Sequence, residues 1–205
     1  MNKIEFKKQF SLDQIFSLKS VRKSMSNFSY RQIDRWEKNG FLNKIKQGFY
    51  MFSDEKLDRF SLFLIANKIY APSYISLETA LKFYGLIPEE IFQITSISSN
   101  KTAKFNTMVG SFSYGHIKPK LFWGYYFIEN GQQKILIAEP EKAILDYLYL
   151  HPELKTANDF KEMRIDKDSF FEKINLNKFE NYLKAFDKKA LIKRTNIFLK
   201  TIEND

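Results

Sequence analysis

The 205-residue chain contains no cysteine. Disulfides, thiolate nucleophiles and cysteine-based zinc sites are excluded together, and the composition fits a reducing compartment. Histidine is almost as scarce. Only His116 and His151 occur, far apart and without the H-E-x-x-H spacing, so no histidine metal centre is expected. The seven glycines are scattered, which leaves no phosphate-cradling loop and no dinucleotide fingerprint. The apolar run Leu62–Ala66 falls far short of the roughly 18–20 residues that span a membrane. Met1–Phe10 carries charges and lacks the apolar core of a signal peptide. The expectation is a cytoplasmic protein with no membrane contact, no metal and no cofactor.

Acidic residues are sparse at the start of the chain. Residues 1–53 hold eleven Lys or Arg against four Asp or Glu, so +7 of the +9 net charge lies there and the remaining residues are near neutral. Such an excess favours a phosphate-bearing partner. The chain is 44% hydrophobic with 21 Phe, enough for a real core and against general disorder. Its length permits one large domain or two small ones.

The stretch Phe28–Phe52 organises the rest. Ser29 suits an N-cap, and Gln32 three residues later completes a capping-box pattern. Phe28 and Ile33 are spaced as a hydrophobic staple, and Gly40 follows the last turn. At about 100° per residue, Ile33 and Trp36 face inward while Arg31, Arg35 and Lys38 cluster opposite, with Gln32 beside them. After Gly40 a basic hairpin follows, Leu42–Lys46, a turn at Gln47–Gly48, and Phe49–Phe52. A capped helix followed by a basic, glycine-tipped hairpin is the pattern of a winged helix-turn-helix, whose second helix offers its N-terminal half to the DNA major groove. A merely solvated basic face is the plainer alternative.

Upstream, Ser11-Leu12-Asp13-Gln14 predicts a helix through Leu18 that buries Leu12, Ile15 and Phe16. Lys19–Met25 predicts a second, with Lys19, Arg22 and Lys23 exposed for phosphate. The nucleic-acid-contacting set is therefore Lys19, Arg22, Lys23, Ser29, Tyr30, Arg31, Gln32, Arg35, Lys38, Lys44, Lys46 and Gln47.

A boundary near residue 56 separates this unit, 1–56, from 57–205. The second begins with a helical stripe from Leu57 to about Tyr70, a break at Ala71-Pro72-Ser73, and a helix capped by Ser76 and stopped at Gly85. Strands are expected over Ile91–Ser98, Phe105–Val109, Ser111–Lys118, Leu121–Ile128 and Gln133–Ala138, the last pair joined by a turn at Asn130-Gly131. A helix starts at Pro140 and buries Ala143, Ile144, Tyr147 and Leu148; further helices follow from Asp159. The fold class is α+β: a winged helix-turn-helix followed by a mixed domain with a mainly antiparallel sheet of four or five strands and packed helices.

Glu139-Pro140-Glu141-Lys142 is the one cluster that could serve a metal-dependent nucleic-acid enzyme. Carboxylates complementing a helix dipole explain it more simply. The aromatic run Phe122, Trp123, Tyr125, Tyr126 and Phe127 could stack bases, although alternation in a half-buried strand accounts for it.

Three stretches carry a family resemblance: Ile45-Lys46-Gln47-Gly48-Phe49-Tyr50, then Tyr74-Ile75-Ser76-Leu77-Glu78-Thr79-Ala80-Leu81 continuing to Tyr84-Gly85-Leu86, then Ala138-Glu139-Pro140-Glu141-Lys142-Ala143-Ile144-Leu145-Asp146. In this order they resemble the AbiEi-like antitoxins of abortive-infection, type IV toxin–antitoxin systems. The resemblance implies an N-terminal winged helix that represses its own promoter. It also implies a C-terminal domain that antagonises a nucleotidyltransferase-like toxin without a stable complex. The expectation is a non-enzymatic regulator bound to double-stranded DNA. The alternatives are an enzyme using Glu139 and Glu141 or a protein-interaction module, and the sequence leaves the oligomeric state open.

Overall fold

The computed structural model of the chain describes residues 2–11, 14–25 and 28–204. A helix the sequence pattern did not suggest comes first, α1 (Lys3–Phe10). Asn2 caps it: the Asn2 side chain accepts from the Glu5 N–H at 2.9 Å, and the Glu5 carboxylate accepts from the Asn2 N–H at 3.2 Å. Phe6 and Phe10, four residues apart, are its buried side.

The helix expected from Ser11 through Leu18 does not form. Leu12 and Asp13 lie outside the described residues, and Phe16–Ser17 is a short strand, β1. Ile15 and Phe16 are buried as anticipated, but Phe16 from β1 and Ile15 from the bend before it. α2 (Leu18–Ser24) follows, capped reciprocally by Ser17 and Ser20, with Val21 inward. Then come α3 (Tyr30–Lys38), β2 (Leu42–Lys46) and β3 (Phe49–Phe52). The small sheet has the order β1-β3-β2 and both pairings are antiparallel.

This first unit has its own aromatic core. The Phe6 ring centre lies 4.7 Å from Trp36, 4.9 Å from Phe10, 5.4 Å from Phe16, 5.6 Å from Phe28 and 5.9 Å from Phe52. Val21, Ile33, Leu42 and Tyr50 complete it.

The second unit opens with α4 (Arg59–Ile69), capped by Asp58, which accepts from the Ser61 N–H at 2.7 Å. β4 (Ser73–Ile75), α5 (Leu77–Phe83), β5 (Gln93–Ser98), β6 (Ala103–Thr107) and β7 (Gly110–His116) come next. After a 3-10 turn at Pro119–Leu121, the chain forms β8 (Tyr125–Asn130), β9 (Gln133–Ala138) and α6 (Pro140–Leu150). It ends with α7 (Ala157–Glu162), α8 (Lys167–Lys173), α9 (Leu176–Phe186) and α10 (Lys189–Glu203).

The main sheet has six strands in the order β6-β7-β5-β4-β9-β8. It is mixed, correcting the mainly antiparallel sheet of four or five: β5 runs parallel to β7 and β4 parallel to β9. The extra strand, β4, sits in what reads as a proline break, too short to show a period of its own. Both parallel pairings join segments remote from each other in sequence, which local patterning does not encode. The turn between β8 and β9 also moves by one residue, since Asn130 pairs with Gln133 and the loop is Gly131-Gln132.

Helices cover both faces of this sheet. On one, the Tyr114 hydroxyl donates to the Ala66 carbonyl of α4 at 2.8 Å, and Asn67 of α4 exchanges hydrogen bonds with the Leu136 backbone. On the other, Thr95 bonds Thr79 of α5, and Gly115 leaves room for Leu150 of α6. Ile15, Ile45 and Met51 of the first unit are buried in the core of the second, so the two units share a packed junction.

Candidate nucleic-acid interface

α3 is polarised as its spacing predicts. Ile33 and Trp36 are buried, while Tyr30, Arg31, Arg35 and Lys38 are exposed and Gln32 is half-buried. Ser29 occupies the N-cap position with extended backbone, but its side chain makes no cap hydrogen bond, so the capping box does not form. Instead the Phe28 ring anchors the entry to α3 on Phe6 and Trp36. Gly40 ends the helix at φ +66°, a conformation that costs glycine little.

α3 is tied to α2 by a contact the sequence did not disclose. The Arg22 guanidinium lies 4.3 Å from the Tyr30 ring centre, at the first residue of α3. Cation–π attraction between exposed groups contributes about 0.5–1 kcal/mol, enough to orient two side chains. Lys19 and Lys23 of α2 are also exposed. Asp34, three residues after Arg31 and four before Lys38, is exposed at the edge of this basic face. Burial pushes the Tyr50 phenol up, and the charges of Glu37 and Asp34 add to the shift, so their field reaches the hairpin.

On the hairpin, Lys44 and Gln47 are exposed. Lys46 behaves differently. Its ammonium donates to the Ile69 carbonyl at 3.1 Å and lies 3.8 Å from the Phe105 ring centre, and burial lowers its pKa. Of the twelve residues named from the sequence, Lys46 is the one turned into the junction between units.

The two carboxylates at the start of α6 share one cation. Lys178 reaches Glu139 at 2.9 Å and Glu141 at 3.6 Å. The Tyr182 hydroxyl donates to Glu139, and Glu141 accepts from the Asn175 N–H at 3.0 Å. Among the described residues no three His, Asp or Glu side chains are grouped to hold a metal ion.

One turn further along α6 lies a buried polar network. Lys142 donates to Asp146 and, at 2.9 Å, to the Tyr74 hydroxyl. Tyr74 and Ser76 donate to the other Asp146 oxygen at 2.8 and 3.0 Å. Ser76 therefore stands at the N-cap position of α5 with its hydroxyl committed to Asp146, making no cap bond. The Lys142 ammonium is 5.1 Å from the ring centres of both Trp123 and Phe186. Burial lowers the Lys142 pKa and raises that of Asp146, and each charge opposes the shift of the other. With every partner in place, this network fixes α6 against β4.

No protein-family model matches the chain, and no curated protein matches it. Among the described residues no helix is long and apolar enough to cross a membrane.

Proposed function

We propose that the chain is a DNA-binding transcriptional regulator whose residues 1–56 act as a winged helix-turn-helix. The observation that carries this reading is the polarised α3, set within the element order α1-β1-α2-α3-β2-β3 and a small sheet of order β1-β3-β2. In this reading α3 enters the major groove. Arg31 and Arg35 offer the planar forks that suit guanine edges, and Tyr30, Gln32 and Lys38 flank them. Lys19, Arg22 and Lys23 on α2, with Ser29 at the entry to α3, hold phosphates and set the register. Lys44 in β2 and Gln47 at the hairpin tip reach the neighbouring backbone.

Following the three motifs, we further propose a cytoplasmic AbiEi-like antitoxin. It would repress its own operon, while residues 57–205 counteract a nucleotidyltransferase-like toxin without a stable complex. The enzymatic alternative draws no support from Glu139 and Glu141, because both carboxylates are already held by Lys178, Tyr182 and Asn175.

The test is a gel-shift series on the DNA upstream of the gene, at several salt concentrations. Arg31→Ala should lose about 1–3 kcal/mol of discrimination at one base pair, or else lower the salt slope by about one. Unchanged affinity in the Arg31→Ala, Arg35→Ala double variant would overturn the assignment. Weak, salt-insensitive binding by the natural chain would favour a protein-interaction module.

A further inference from the structure

Two lysines reach across the junction in opposite directions. Lys46, at the end of β2, donates to the carbonyl of Ile69, the last residue of α4. Carbonyls at a helix C-terminus lack intrahelical donors, and the dipole there favours a cation. The same ammonium sits over the rings of Phe105 and Tyr70, at 3.8 and 5.4 Å from their centres. From the other side, Lys68 of α4 donates at 3.2 Å to the carbonyl of Ile15, the residue before β1. β1 in turn pairs with β3 of the hairpin. Beneath both bonds, Ile15, Ile45 and Met51 are buried in the second unit's core.

We infer that Lys46 and Lys68 form a clamp through which α4 fixes the attitude of the β2–β3 hairpin, so that Lys46 positions the wing for DNA without touching it. This rests on the DNA-binding reading above and deepens it. The second unit becomes part of the DNA-binding machinery, and whatever shifts the end of α4 shifts the wing. Lys44, two residues from Lys46, is exposed and marks the contrast: it is a phosphate contact, whereas Lys46 is a positioning residue.

Full-length Lys46→Met, Lys68→Met and Lys44→Met variants separate the two roles. Their fold is first checked by circular dichroism. Neutralising a phosphate contact lowers the salt slope of binding by about one, and this is the result expected for Lys44→Met. Lys46→Met and Lys68→Met should each weaken binding by about 3- to 10-fold, the range of a coupling residue, with the slope unchanged. A slope lowered by Lys46→Met as much as by Lys44→Met, or affinity unchanged in both clamp variants, would overturn the inference.

Amide hydrogen exchange on the DNA-free protein gives a second readout. The amides of Leu42–Phe52 should exchange faster in both clamp variants and not in Lys44→Met. Unaltered protection would overturn the clamp even if the natural chain bound no DNA. Absence of DNA binding with lost protection would instead refute the reading of function alone.

Discussion

Lys142 and Asp146 face each other one helical turn apart on α6, and neither side chain has any exposure. A single buried charge in such a place is very costly; a pair with complete hydrogen bonding is tolerable and demands a particular geometry. Here that geometry ties α6 to Tyr74 on β4 and to Ser76 at the head of α5.

Breaking the pair on one side should be far worse than removing it. Asp146→Asn or Lys142→Met alone is expected to cost about 3–5 kcal/mol, and the Lys142→Met, Asp146→Leu double variant less than either. Urea denaturation measures all three. Single variants within 1 kcal/mol of the natural chain would show the network to be unimportant for stability.

The aromatic core of the first unit depends on Phe6, which is wholly buried and touches five other rings. Phe6→Ala should cost about 3–5 kcal/mol and abolish DNA binding through loss of α3's support. Retention of affinity at the growth temperature would mean that α1 is dispensable to the interface.

Stability should fall in acid. The Ser61 hydroxyl and backbone N–H hold the Asp58 carboxyl below its ordinary 3.8, as the Lys155 and Thr156 N–H groups do for Asp159, and the Ser169 hydroxyl and N–H for Asp166. Each pKa is lower folded than unfolded. The stabilisation is thus complete above about pH 5 and is lost as pH drops through the folded values. Asp58→Asn keeps a capping side chain but does not titrate, so its urea midpoint should depend less steeply on pH between 2 and 4. An identical profile would exclude Asp58 from the acid response.

Repression and toxin antagonism should separate genetically. If the proposed antitoxin role holds and a toxin gene lies beside this one, the full-length Arg31→Ala, Arg35→Ala variant should still rescue growth from that toxin while failing to repress a reporter on its own promoter. Loss of rescue with protein level maintained would contradict the assignment of antagonism to residues 57–205.

Much of the fold is legible in the sequence because it is local. α3 follows from Ile33 and Trp36 against three basic residues, α6 from Pro140, and the β8–β9 hairpin from alternating runs around Gly131. What escapes is relational. α1 reads as a charged segment because its few apolar residues, Ile4, Phe6 and Phe10, make no helical stripe, and Ile4 is exposed. Lys142 and Asp146 have the spacing of an ordinary surface ion pair, and the groups that make them interior, Tyr74, Ser76, Trp123 and Phe186, are remote in sequence. Lys46 reads as a wing cation because Ile69, Tyr70 and Phe105 lie far along the chain.

The three-residue strand β4 gives the second unit an assembly problem. β5, β6 and β7 form one group of neighbouring strands and β8 with β9 another, each able to pair early. They meet only where Ser73–Ile75 slots between them, with Ile75 opposite Ile137. Contacts that close long loops form late. The keystone of the sheet is therefore its shortest strand, and until its pairing with β9 closes, the edges of β4 and β9 stand open. Those edges are where a nascent or stressed chain would stick to its neighbours.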